Sequence, residues 1–294
     1  MDIKRIGDVV LSRVVESEEP LLKPAELFPD WQDTVIDENR DWLIPRFYDP
    51  RSGLLAITIQ SFLLKTRHHT ILVDACAGNH KDRARPFFDQ REWPWLDALA
   101  ATGTSPADID FVLCTHLHVD HVGWNTRLSD GRWVPTFPNA KYLFSRLDWA
   151  FWKRESERDE LARTGDYVVD SVLPIFAAGQ AVLVDGEYEV EDGIRLEPTP
   201  GHSPGHVVVH IRSGGREAVL SGDVMHHPLQ CRYPDWSTNF CADQTKSRIT
   251  RRQFLDTYCD TDVLIVPSHF PTPTAGFIET DKNAFRFRFD GEQE

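Results

Sequence analysis

Between residues 115 and 121 the chain reads Thr115-His116-Leu117-His118-Val119-Asp120-His121. Imidazole and carboxylate are donor types that zinc takes at about 2.0–2.2 Å. Residues i and i+2 share one face of a strand, so His116 and His118 can aim at a single ion. If the chain turns after His118, Asp120 and His121 can face a second position close by. The spacing predicts two metal ions side by side, provided that distant segments supply more ligands. The competing reading is a chance cluster of histidines on a solvated loop.

Three later segments offer those ligands. Thr199-Pro200-Gly201-His202-Ser203-Pro204-Gly205-His206 holds two prolines and two glycines, which set a tight turn and present His202. Ser221-Gly222-Asp223 follows the apolar run Ala218-Val219-Leu220. Val266-Pro267-Ser268-His269 follows Asp262-Val263-Leu264-Ile265. Each candidate stands at the end of a strand, where a rigid element can hold it. Taken singly they are an ordinary turn, a turn or helix N-cap, and a structural or solvated histidine.

The elements that must carry these residues are legible in coarse form. Strands are predicted at residues 6–14, 54–65, 70–74, 140–145, 181–184, 194–197, 206–212, 217–221 and 261–267, with another inside 277–289. The opening motif follows the buried-strand run Phe111-Val112-Leu113-Cys114. Helices are predicted over 93–101, 146–160, 167–177 and 247–258, and Ser105-Pro106-Ala107-Asp108 reads as a capped turn. Residues 17–53, rich in Pro, Asp, Glu and Trp, form an irregular stretch. It is either a flap over a site or an N-terminal wrap on the surface. Strand blocks each followed by helices, with no linker between them, fit sheets covered by helices in one domain spanning 1–294. The acidic end of the chain reads as disordered.

Composition narrows the function. Of 294 residues, 41% are hydrophobic and 27% charged, as in ordinary soluble domains. The net charge of −14 opposes nucleic acid and anionic membrane surfaces as partners. No apolar run approaches the roughly 18–20 residues of a membrane span, and the first residues lack the apolar core of a secretory signal. The five cysteines, 76, 114, 231, 241 and 259, are widely spaced without a C-x-x-C pair. Most read as reduced core thiols, with Cys114 pointing away from the motif. Absent signals and free thiols predict a cytoplasmic location.

The ordered set His116-x-His118-x-Asp120-His121, His202, Asp223 and His269 resembles the metallo-β-lactamase fold superfamily, over about residues 54–279. The resemblance implies an α/β chain of the four-layer αββα sandwich type. It implies two divalent ions, zinc by default, with manganese, cobalt or iron compatible with the same donors. In that pattern His116, His118 and His202 hold the first ion. Asp120, His121 and His269 hold the second, and Asp223 bridges. Asp74, in Leu72-Val73-Asp74, matches an outer residue supporting the ligands or a structural loop residue.

Within the superfamily the Thr-Pro-Gly-His-Ser-Pro-Gly-His stretch is similar to N-acyl-homoserine lactonases. Phe137-Pro138-Asn139-Ala140 and Gly222-Asp223-Val224-Met225-His226 look more like methyl parathion hydrolase and its lactonase relatives. The lactonases carry a tyrosine three residues after the bridging Asp, where this chain has His226. The implied activity is hydrolysis by a metal-bridging hydroxide of a lactone or carboxylic ester, with Asp120 and His226 as candidate proton carriers. His226 as a merely supporting or surface histidine is the other reading. Trp124, Phe47 and Phe270, next to ligand loops, are the candidate substrate wall, implying a hydrophobic small molecule. Trp149 and Trp152 read as core, and a homodimer is compatible with the aromatic helix 146–160. Phosphotriesters or β-lactams are alternative substrates. A non-catalytic metal-binding or iron redox protein is the alternative from another class.

Overall fold

The computed structural model describes residues 3–292; Gln293 and Glu294, in the acidic end expected to be disordered, lie outside the described residues. Strands β1 (Ile3–Ile6), β2 (Val9–Leu22), β3 (Tyr48–Asp49), β4 (Leu54–Lys65), β5 (Thr70–Val73) and β6 (Phe111–Leu113) come first. A hairpin of β7 (Thr126–Ser129) and β8 (Arg132–Pro135), then β9 (Lys141–Ser145) and β10 (Ala181–Val184), follow. The chain continues with β11 (Tyr188–Glu191), β12 (Ile194–Pro198), β13 (Val207–Ser213), β14 (Arg216–Gly222), β15 (Leu264–Pro267), β16 (Gly276–Asp281) and β17 (Ala284–Phe289). One sheet has the order β1-β2-β4-β5-β6-β9-β10 with β3 on β4; a second holds β11 to β17 in sequence order. The fold is mixed α/β.

The chain divides into two compact units. The first comprises residues up to Ser17 with Ile59–Val190, and the second Glu18–Thr58 with the chain from Glu191 onward. In the first unit β5, β6, β9 and β10 pair in parallel, joined by stretches that contain helices. Their sequences, Thr-Ile-Leu-Val, Phe-Val-Leu and Lys-Tyr-Leu-Phe-Ser, lack the polar–apolar alternation of a half-wet strand. Buried Ile71, Leu72, Val73, Val112, Leu113, Tyr142 and Phe144 show why: such strands are covered on both faces. β6 ends at Leu113, and the motif begins two residues on.

The second unit alternates antiparallel pairs with one parallel pair, β14 with β15. That pair brings the ends of two apolar runs to one edge, so Asp223 and His269 leave neighbouring strand ends. The helix Gln244–Tyr258 lies between the two strands in sequence.

The segment 17–53 differs from the irregular stretch expected. β2 runs on to Leu22, and short helices cover Pro24–Leu27, Thr34–Glu38 and Arg40–Leu43. Its aromatics are held by partners in the same unit: Phe28 and Trp31 lie 5.4 and 6.0 Å from the Trp236 ring. The helix expected over 167–177 is two helices, Tyr167–Ser171 and Leu173–Ala177. Pro174, which has no N–H for the helical ladder, stands near the start of the second. No helix among the described residues is long and apolar enough to cross a membrane.

Candidate functional site

In the first unit the backbone is extended at His118 and then makes one helical turn, Val119–Val122. The turn swings Asp120 and His121 away from the direction of the strand, as the motif spacing requires. His116 Nε2 lies 2.9 Å from His118 Nδ1. The His116 and His121 rings are 4.0 Å apart, and His121 Nε2 is 3.8 Å from Asp120 Oδ1. Two imidazole nitrogens facing each other at 2.9 Å need a shared proton or a cation between them. A divalent ion suits this nitrogen–oxygen donor set.

Buried carboxylates fix this half. Asp74 accepts the Thr115 amide at 2.8 Å through Oδ1, and its Oδ2 stands 2.9 Å from His121 Nδ1. Its φ of +59° is a left-handed conformation that Asp adopts more readily than most residues. Asp148, fully buried at the start of the helix Arg146–Glu157, accepts the Leu117 amide at 2.8 Å. Glu16 accepts the amides of Ala77 and Gly78 at 3.0 Å each and Trp124 Nε1 at 2.7 Å. Burial pushes the Glu16 carboxyl up to about 7, against the pull of these three donors. The loop it ties down meets the motif where a Cβ on Gly123 would lie 1.9 Å from Ala77 O.

In the second unit three imidazoles converge on one carboxylate. His202 Nε2 and His226 Nε2 each stand 3.1 Å from Asp223 Oδ2, and His269 Nε2 stands 3.0 Å from Oδ1. The Asp223 amide donates to His206 Nε2 at 2.9 Å, and His206 Nδ1 lies 2.8 Å from Thr199 Oγ1. His206 therefore supports Asp223. His269 is hooked to β4 twice: its Nδ1 lies 2.9 Å from Thr58 O, and its carbonyl accepts the Thr58 amide at 3.0 Å. Burial lowers the affinity of His202 for a proton, but Asp223 outweighs it and brings the imidazole up to about 9. A cation at Nε2 would take the place of that proton. Burial dominates at His226 and pushes it down to about 4, so this ring is neutral at pH 7.

The aromatic residues expected to face substrate are engaged elsewhere. Trp124 stacks on Trp95 at 5.2 Å, besides its bond to Glu16. Phe47 stacks on Phe289 at 5.3 Å, and Phe270 packs edge-on against Phe287 at 5.0 Å. All three are core rings. Trp149 and Trp152, read as core, are both half-buried: Trp149 stacks on Phe176, and Trp152 sets its ring 4.7 Å from that of His118. All five cysteines are free, and Cys76, Cys114 and Cys231 are buried thiols. Cys241 and Cys259 are half-buried, and Cys241 lies against His202.

Comparison with known proteins places the chain in a family. The model of the metallo-beta-lactamase superfamily matches residues 56–277. An N-acyl homoserine lactonase of Bacillus thuringiensis is 27% identical over 179 residues, 57% of this chain and 63% of that protein. The N-acyl homoserine lactonase AttM of Rhizobium radiobacter is 28% identical over 199 residues, 63% of this chain and 70% of its own. The chain thus spans 63% of the length of the Bacillus relative. Among solved structures, the hydrolase AbOPH of the beta lactamase superfamily superposes with a TM-score of 0.83 at 23% identity, over 99% of this chain and 98% of the other. AidC, a dizinc quorum-quenching lactonase in complex with a product, gives 0.78 at 23% identity, over 100% and 98%. At these identities the structural likeness is one of fold. The family match covers well over half of the sequence and includes every strand end that carries a candidate ligand: the chain belongs to the metallo-beta-lactamase superfamily.

Proposed function

We propose that this protein is a dinuclear metal-dependent hydrolase acting on a lactone or other carboxylic ester. The observation that carries the reading is the pair of convergent donor sets, one after β6 and one after β12, β14 and β15. The curated relatives named as N-acyl homoserine lactonases, and the neighbour named as a dizinc lactonase, support the same substrate class. In this reading, which rests on the ordered motif, His116, His118 and His202 would hold one ion, Asp120, His121 and His269 the other, and Asp223 would serve both. Zinc is the default for a set so rich in imidazole.

Two such ions, when bound, supply a nucleophile at neutral pH and a Lewis acid for the carbonyl oxygen. The chain's own residues do the rest. Asp74 holds the Nδ1 proton of His121, and the Thr58 carbonyl holds that of His269, so each ring turns Nε2 inward. Asp120 and Asp223 bring two negative charges to four positive ones, and the residual positive charge favours a developing oxyanion. His226 stays neutral at pH 7, and its Nδ1 finds no hydrogen-bond partner among the described residues. With Nε2 facing Asp223, the neutral ring carries a lone pair on Nδ1, so that nitrogen is the candidate to accept a proton from the nucleophile and return it to the leaving alkoxide. Trp152, beside His118, replaces Trp124, Phe47 and Phe270 as the candidate apolar contact for a small hydrophobic substrate.

The test is a substrate panel with purified protein loaded with zinc: N-acyl homoserine lactones, an aryl ester, a phosphotriester and a β-lactam, followed by pH-stat. Acid release from lactones or esters at the highest kcat/KM is expected. No acid from either, with turnover of the phosphotriester or β-lactam, moves the protein to that class. Two metal ions per chain by mass spectrometry are expected; no metal, or iron alone with no hydrolysis, sinks the hydrolase reading.

A further inference from the structure

The loop that carries His202 is braced by the start of the helix Gln244–Tyr258. Gly201 has φ +140°, and a Cβ there would lie 2.4 Å from the Ser247 amide nitrogen. Ala242 N donates to His202 O at 2.8 Å, and Asp243 N to Gly201 O at 3.0 Å. Thr250 Oγ1 donates to Pro200 O at 2.6 Å. One side chain of this brace reaches the imidazole. Cys241 Sγ lies 3.5 Å from His202 Nδ1, 3.3 Å from Ser247 Oγ and 3.4 Å from Thr238 Oγ1. Ser247 Oγ accepts in turn from Nη1 of the buried Arg251 at 3.3 Å.

His202 presents Nε2 to Asp223. A ring whose Nε2 lone pair is committed to a cation carries its proton on Nδ1, and here that N–H points at sulfur. Ligating imidazoles usually hand this proton to a carboxylate, a carbonyl or water. Asp74 does so for His121, and the Thr58 carbonyl for His269. A thiol sulfur is a weaker acceptor than either oxygen. We propose that Cys241 is the positioning residue of His202: it accepts the Nδ1–H, fixes tautomer and ring direction, and is itself held in register by Ser247 and Thr238. The proposal rests on His202 being a metal ligand.

The test measures metal affinity rather than turnover. Zinc-loaded wild type, Cys241→Ala, Cys241→Val and Cys241→Ser are titrated against a chromophoric chelator, with unfolding of each metal-free protein followed alongside. Cys241→Ala and the near-isosteric Cys241→Val are expected to bind one zinc ion about 10–100-fold more weakly while the other holds. Cys241→Ser, which restores an acceptor, should recover part of the loss. Cobalt(II) loading gives a second readout, since a reoriented His202 shifts the visible d–d bands. If Cys241→Ala does not fold, Cys241→Val answers the same question. Wild-type affinity in either folded variant overturns the proposal alone. Wild-type protein that takes up no metal, with His202→Ala no different, overturns the metal reading and the proposal with it.

Discussion

The Asp74 carboxylate stands 2.9 Å from Nδ1 of His121 and accepts the Thr115 amide at 2.8 Å, so one buried side chain ties down both ends of the histidine motif. Asp74→Asn retains a residue that tolerates the left-handed backbone and can still accept the Thr115 amide. Its amide nitrogen, however, meets the His121 Nδ1–H donor to donor. We expect about 10–100-fold weaker binding of one metal ion. Metal content after dialysis against a chelator checks this; wild-type retention would remove Asp74 from the support of His121.

Glu16 predicts a pH dependence of stability. Its carboxyl is pushed from 4.5 up to about 7, chiefly by burial, with the charge of Asp120 adding to it. A group raised in the folded state contributes stability that is fully present below its unfolded pKa and lost as pH rises through the folded one. The contribution of Glu16 therefore fades between about pH 4.5 and 7, by on the order of 3 kcal/mol. Glu16→Gln carries a constant cost, because its amide group opposes one of the three N–H donors. Its unfolding free energy should nonetheless fall less steeply than that of wild type from pH 5 to 8. Parallel curves in denaturant melts across that range would contradict the assignment.

Gly123 packs so closely that a Cβ would meet the Ala77 carbonyl oxygen at 1.9 Å. Both partners are backbone, and backbone cannot step aside as a flexible side chain can. Gly123→Ala should cost about 1–3 kcal/mol of stability, as overpacking does. It should also displace the turn that holds Asp120 and His121. Thermal melts of the metal-free protein read the first effect, and metal stoichiometry the second.

His226→Ala separates proton transfer from metal holding. The ring is 3.1 Å from Asp223 yet neutral at pH 7. Loss of a group that takes up a proton and returns it lowers kcat by about 10²–10⁴-fold. The variant should keep two metal ions while losing at least the lower figure with a poor leaving group. Unchanged kcat excludes the proton role, and lost metal makes His226 a ligand.

What the sequence disclosed depended on how locally each feature is encoded. His116, His202, Asp223 and His269 follow apolar runs that end in turn residues, so strand ends and candidate ligands can be read together. The residues that support them carry no such mark. Glu16 reaches its amide partners across 61 residues, Asp148 across 31 and Cys241 across 39. No periodicity links positions so far apart. Adjacency is a poor guide as well: Phe270 follows His269, and successive residues of an extended chain face opposite ways, so a candidate ligand's neighbour turns into the core. Trp152, the proposed apolar contact, carries no mark for the converse reason. It lies 34 residues from His118 in sequence, and a tryptophan on an amphipathic helix reads as packing.

The two hydrogen bonds between Thr58 and His269 join residues 211 positions apart. During synthesis, then, Thr58 emerges long before its partner exists. Closing so large a loop costs entropy, which the contacts around it must offset. Of the candidate donors His269 is therefore the last to be made, while the strand that anchors it is among the earliest segments of the chain to exist.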